Sequence, residues 1–278
     1  MANYTAADIK ALRERTGAGM MDVKKALDEA QGDADKALEL IRIKGLKGAT
    51  KREGRSTAEG LVAARVEGTV GVMVEVNCET DFVAKSGPFI DFSNKVLAAA
   101  IESGATDVAS LLAHSVEGRP VSEHVIEAGA LLGEKVDVRR VARVEGATVD
   151  AYLHKTSKDL PAQVGVLFGV DGEGEGAREA AHDVAVHIAA YSPTYISRDE
   201  VPADLVESER RIAAETARAE GKPEGAMTKI VEGRLTGFFK EGVLLEQAFA
   251  KDAKKSVAQV LEAAGVKPSA FARFRVGA

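Results

Sequence analysis

The sequence predicts an α+β fold, and three observations carry that prediction. A hairpin-plus-helix pattern occurs twice, three short amphipathic helices precede it, and two longer amphipathic segments interrupt its second copy. Val70-Gly71-Val72-Met73-Val74-Glu75-Val76 and Val164-Gly165-Val166-Leu167-Phe168-Gly169-Val170 share one pattern 94 residues apart (70 against 164). Each run follows another strand candidate, over 60–66 and 147–153, and each leads into an amphipathic helix, over 88–103 and 177–190. One hairpin and one helix are too little to close a core, so the two copies are expected to pack together as halves of one.

Taken in order, Thr5-Ala6-Ala7-Asp8 opens the first helix, with Thr5 as N-cap and an acid in the first turn. Ile9 and Leu12 share its inner face before Thr16-Gly17-Ala18-Gly19 breaks it. A second helix from about Met20 turns Val23, Ala26 and Leu27 inward, Gln31-Gly32-Asp33 ends it, and a third carries Ala37, Leu38 and Ile41. This module, residues 1–46, resembles the three-helix ubiquitin-associated type of domain, which binds other proteins through its first loop. Met20 and Met21 lie there. Neighbours on a helix differ by about 100°, so at least one of the two thioethers is expected at the surface, with Lys24 one turn on. Residues 47–56 carry Gly and like charges without an apolar period, which predicts a flexible basic linker. That stretch has no aromatic residue to suit nucleic acid and no phosphate-loop spacing.

The first half is placed at 57–140, with Phe92, Val96, Ala99 and Ala100 on the inner face of its helix. Residues 105–132 read as helical, and 136–144 alternate at period two as a strand whose Arg face is solvated. The second half is placed at 141–196 and 236–278, with Ala181, Val184, Ala185 and Ile188 inward, a helix over 255–264 and a last strand over 271–276. Residues 197–235 form a helical hairpin turning at Gly221-Lys222-Pro223-Glu224-Gly225, with Leu205 and Ile212 on one arm and Met227, Ile230, Val231 and Leu235 on the other. Ser208 and Glu215 fall at seam positions, which predicts a poor antiparallel coiled coil.

Composition narrows the function. The formal net charge of −6 and pI near 5.6 argue against a general nucleic-acid binder, and an absence of Trp removes the best base-stacking side chain. A single cysteine, Cys78, excludes an internal disulfide. No apolar run approaches the roughly 18 residues of a membrane span, and the N-terminus has no apolar signal core, so the expected location is the cytoplasm. Gly172-Glu173-Gly174-Glu175-Gly176-Ala177 follows a strand and opens a helix, but two carboxylates at the helix mouth repel a pyrophosphate. His182 and His187 are five apart, turned about 140° from each other on a helix, and cannot share a metal. Cys78 lacks a recognisable His and Asn context and reads as a small buried hydrophobe. No catalytic residue, cofactor or metal is expected, and the chain does not read as an enzyme.

The stretch Glu75-Val76-Asn77-Cys78-Glu79-Thr80-Asp81-Phe82-Val83-Ala84-Lys85 stands apart. Phe82 there is either folded under its own helix or presented as a wedge. The second copy of the repeat has only Asp171-Gly172-Glu173-Gly174-Glu175-Gly176 at this place, so a need common to both halves does not explain Thr80-Asp81-Phe82. Glu75 to Ala84 resembles the second signature of the elongation factor Ts family, and Leu12-Arg13-Glu14-Arg15-Thr16-Gly17-Ala18-Gly19-Met20-Met21-Asp22-Val23-Lys24-Lys25-Ala26-Leu27 resembles its first.

The resemblance spans essentially the whole chain and implies a guanine-nucleotide exchange factor whose partner is the translational GTPase elongation factor Tu. It assigns Thr80, Asp81, Phe82 and Val83 to dislodging Mg²⁺ from the partner, and partner contacts to Met20, Met21, Lys24, Leu132, Gly133, His154 and Val231. Neither nucleic acid nor a membrane is implied as a partner. The hairpin serves dimerisation in that family, and its poor seam here leaves at most a weak homodimer. After His154 the chain departs from the expected pattern, since 155–161 read as a longer loop. The competing reading is a scaffold built on the three-helix module, without exchange activity.

Overall fold

The computed structural model describes residues 3–16 and 18–278, without the side chains of 46, 47, 49 and 50. Gly17, part of the expected first break, lies outside the described residues. The chain begins with α1 (Ala6–Thr16), α2 (Met20–Glu29) and α3 (Ala34–Arg52). Then come β1 (Glu59–Glu67), β2 (Val70–Cys78), α4 (Asp81–Ala84), α5 (Gly87–Ser103), α6 (Val108–Ala113), β3 (Ser115–Val116), β4 (Arg119–Pro120), α7 (Val121–Leu132) and β5 (Asp137–Glu145). The remainder is β6 (Thr148–His154), β7 (Val164–Val170), α8 (Glu175–Tyr191), α9 (Ala203–Ala219), α10 (Met227–Gly242), β8 (Ala248–Phe249), β9 (Asp252–Ser256), α11 (Val257–Ala263) and β10 (Pro268–Arg275). Helices and sheets are mixed as an α+β fold.

Thr5 caps α1: its hydroxyl accepts the Asp8 N–H at 3.3 Å, and the Asp8 carboxylate accepts the Thr5 N–H at 2.7 Å. Gln31 and Gly32, at φ 55° and 87°, turn the chain between α2 and α3. Leu12, Val23, Ala26, Leu27 and Ala37 form the small core beneath. The expected linker is corrected in its first part, because α3 continues to Arg52. Its outer turns lie on α7, where Arg42 pairs with Glu123 at 2.8 Å and with Glu127 at 3.2 Å. Gly45 is so close to α7 that a Cβ there would stand 3.0 Å from that of Ala130. Packing against a second helix offsets the two glycines that suggested a loop.

The two halves of the repeat become two antiparallel sheets, ordered β1-β2-β5 and β10-β7-β6. They pack face to face through Val62, Met73 and Val144 from one and Val149, Leu167 and Phe274 from the other. The glycine common to both copies explains the spacing. A Cβ on Gly71 would meet Leu167 and Val149 at 2.9 Å, and one on Gly165 would meet Val62 at 2.5 Å. The outer faces are covered by α5, through Phe89, Val96, Leu97 and Ala100, and by α8, through Ala181, Val184, Ala185 and Ile188. Phe92, expected inside, is only partly buried, while Phe89 is fully so.

Three further expectations are corrected. The single helix read over 105–132 is α6, the β3–β4 hairpin and α7, because Glu117 and Gly118 both take positive φ (52° and 77°) in a two-residue turn. The Arg face of β5 is not simply solvated: Arg140 Nε donates to the wholly buried Glu75 Oε2 at 2.5 Å and its guanidinium lies over the Phe274 ring. An acid in an otherwise apolar strand needs such a partner when buried. In the hairpin, Glu215 faces outward and Ile212 is exposed; the buried positions of α9 are Ala213 and Ala217. These small side chains pack toward Val231, Leu235 and Phe239 of α10, and Arg234 reaches Glu220 across the arms at 2.7 Å.

The β8–β9 hairpin, absent from the sequence reading, is fastened by buried His187. Its Nδ1 accepts the Ala250 N–H at 3.2 Å and its Nε2 donates to Gln247 Oε1 at 2.8 Å. Burial pushes its pKa below the ordinary value, so the folded chain holds it neutral. Below about pH 6.5 the unfolded chain binds the extra proton and the folded one resists it, so stability is full above that value and falls as pH drops toward the folded-state pKa. Urea midpoints are expected to fall between pH 7.5 and 5.5, and His187→Gln to flatten that slope while lowering stability at both. A slope unchanged by the substitution would remove His187 from the account.

Candidate functional site

The site is built where β2 stops. Glu79 and Thr80 carry the chain from buried Cys78 into α4, and the Thr80 hydroxyl caps that single turn by accepting the Val83 N–H at 3.4 Å. Ala84 is buried and Val83 packs on the same core. With successive residues about 100° apart, turning 83 and 84 inward leaves position 82 outward. Phe82 is 74% exposed, and so is not folded under its own helix. Lys85 Nζ lies 4.5 Å from the ring centroid and 3.3 Å from the Asp81 carboxylate, so the ring and the acid share one cation. Behind them, burial and the Glu134 carboxylate push the Cys78 thiol up to about 12.

The turn after α7 supports this corner. Gly133, at φ 75°, ends α7 with its N–H on Gly129 O at 3.0 Å. Gly129 is itself required, since a Cβ there would stand 2.9 Å from the Glu134 carbonyl oxygen. Glu134 Oε2 accepts the N–H groups of Glu79 and Thr80, both at 3.0 Å, and its Oε1 accepts the Thr80 hydroxyl at 2.5 Å. In return Glu79 Oε1 accepts the Lys135 N–H at 2.6 Å. Arg55 pairs with Glu79 at 3.2 Å, and Lys135 Nζ donates to Glu53 O at 2.6 Å, which fixes the end of the former linker to the same place. The sequence reading gave Glu79, Glu134 and Lys135 no role at the site. The signals were an acid inside one recognised motif, Glu79, and an acid just after Leu132-Gly133, Glu134, and no local pattern pairs residues so far apart.

In the three-helix module Met20 and Met21 are both exposed, at 59% and 63%, while Val23 turns inward. Lys24 is exposed beside them. Asp22 pairs with Lys44 of α3, the next residue, Gly45, abuts Ala130 of α7, and Leu132 and Gly133 follow within a turn. Contacts therefore run from the methionine pair through α3 and α7 to the turn that braces Phe82. His154 stands apart from this series, exposed at the end of β6, its Nδ1 3.1 Å from the Tyr152 hydroxyl. Tyr152 meets His182 edge-on, and His182 lies 3.3 Å from Asp150, whose pKa burial raises against the pull of that histidine. Val231 is 7% exposed within the seam of the hairpin, so in this conformation it is a packing residue rather than a presented one.

Among the described residues no three His, Cys, Asp or Glu side chains are grouped to hold a metal. No helix among them is long and apolar enough to cross a membrane. A cleft of about 520 Å³ lies between β10 and the segment after α8, lined by Thr194, Glu200, Phe271 and Arg273. None of the corner residues lines it.

The family described as Elongation factor TS matches residues 79–278. Among curated proteins, "Elongation factor Ts" of Renibacterium salmoninarum is 82% identical over 278 residues. Proteins of the same name from Arthrobacter sp. strain FB24 and Micrococcus luteus are 79% and 73% identical over 277 residues. In all three the alignment covers 100% of this chain and 100% of the relative.

Proposed function

This chain belongs to the elongation factor Ts family, and from that premise we propose that it is the guanine-nucleotide exchange factor of elongation factor Tu, working in the cytoplasm during translation elongation. The observation that carries the mechanism is the exposed Phe82 on a braced corner. Phe82 inserts between elements of the GTPase, and Asp81 meets a neighbouring helix of the partner once Lys85 yields. Thr80 and Val83 set the angle at which the pair arrives. Displacing the groups that position Mg²⁺ strips the bound phosphates of their counter-charge, and GDP leaves.

The factor must bind the empty GTPase better than the loaded one, and the coupling is reciprocal: nucleotide weakens the factor by the ratio in which the factor weakens nucleotide. Burying one Phe supplies roughly 1.5–3 kcal/mol, about one or two decades. Releasing a tightly held nucleotide takes more, so Met20, Met21, Lys24, Leu132, Gly133 and His154 are proposed as further contacts. Contact from α10 falls to neighbours of the buried Val231. A weak homodimer through the hairpin, where Ile212 is exposed, is compatible with this reading.

Immobilised chain is expected to retain one GTPase from a bacterial lysate and to release it when GDP is added. Retention indifferent to GDP would instead support the scaffold reading.

A further inference from the structure

We propose that Glu134 is a positioning residue for nucleotide exchange: its carboxylate fixes the Glu79-Thr80 peptide so that α4 presents Phe82 in one orientation. The inference rests on the exchange reading above and adds a residue to it. A helix of four residues cannot hold its own direction, because a single turn fixes many dihedrals for few hydrogen bonds. The direction of α4 is set from outside. Three donors converge on Glu134, the N–H groups of Glu79 and Thr80 at 3.0 Å and the Thr80 hydroxyl at 2.5 Å. Hydrogen bonds to an ionised acceptor are about twice as strong as neutral ones.

The second half of the molecule supplies an internal control. There too a helix is followed by a positive-φ glycine and, two residues on, a lysine, before the last strand: Gly265-Val266-Lys267 leads into β10 as Gly133-Glu134-Lys135 leads toward β5. There too an acid at the end of the central strand accepts the lysine N–H, from Lys267 to Asp171 at 2.6 Å as from Lys135 to Glu79 at 2.6 Å. That brace is common to both halves and so belongs to the fold. The residue between glycine and lysine differs: buried Val266 in one half, Glu134 in the other. Only the half that carries an exposed aromatic at the strand end has the carboxylate, and the carboxylate bonds directly to the cap of the turn bearing that aromatic.

The test is a double-mutant cycle on stimulated GDP release, at saturating factor and at varied factor concentration. Glu134→Ala is expected to slow release at saturation about tenfold, with a smaller change in the half-saturating concentration. Glu134→Gln is expected to stay within about threefold of the parent, since its amide oxygen can accept both backbone N–H groups while its NH₂ donates to the Thr80 hydroxyl. In a Phe82→Ala background, Glu134→Ala is expected to add less than about twofold, because it acts through the ring. A general loss of structure would multiply the two effects instead.

A parental rate for Glu134→Ala, independent multiplication, or a Gln variant as slow as the Ala one would each overturn the proposal. If Glu134→Ala loses its melting transition, Thr80→Val, which removes the hydroxyl arm on Glu134 together with the cap on the Val83 N–H, is expected to be about threefold slow, and a parental rate there would overturn it equally. The failures are distinguishable. Phe82→Ala at the parental rate defeats the exchange mechanism, whereas a slow Phe82→Ala beside a fast Glu134→Ala defeats only the positioning role.

Discussion

In a stopped-flow assay with fluorescent GDP, Phe82→Ala is expected to lower the factor-stimulated release rate by about one to two decades while the melting temperature stays at the parental value. The size follows from the roughly 1.5–3 kcal/mol of burying a Phe side chain, if that burial is realised when the nucleotide site opens. The unchanged stability follows from exposure: a ring 74% in solvent makes little of the folded core. Its near neighbours differ, because Val83 and Ala84 pack on the core beneath β2, and truncating Val83 should cost both stability and rate. Release at the parental rate from a folded Phe82→Ala protein would remove the wedge from the mechanism.

The second large effect is expected at Gly165. Its substitution by Val is expected to cost about 3 kcal/mol, read as a shifted urea midpoint at unchanged slope. A Cβ at this position would lie 2.5 Å from Val62 Cγ1 and 2.8 Å from Met73 Sδ, both on the opposite sheet. Neither neighbour has room to retreat, since both belong to the buried layer between the sheets. Gly225, at the tip of the helical hairpin with nothing within 4 Å, is the matched control and should accept Ala with little effect. Equal costs at the two sites would mean that the sheets can separate freely.

These two residues also mark how much the sequence disclosed. The repeat places both sheets, and β7 falls on the very residues 164–170 read from it, because a run of apolar residues buried on both faces is a local signal. The exposure of Phe82 was legible by subtraction, from its lack of a counterpart in the second copy. What stayed hidden depends on residues far apart in the chain. Glu134 and Thr80 meet across two strands and four helices, Arg140 finds Glu75 through strand pairing, and α3 continues past Gly45 because α7 lies against it. Local periodicity carries none of these. The β3–β4 hairpin was missed for another reason: two-residue strands are too short for alternation to register.

The sulfur of Cys78 lies at the end of β2, wholly enclosed, with its thiol pushed up to about 12 and its hydrogen on Thr80 O. Thiol chemistry runs through the thiolate, and at neutral pH this residue supplies almost none. Peroxide, electrophiles and glutathione therefore have no purchase on the strand end while the protein is intact. A mixed disulfide at this position would record that the corner had already come apart.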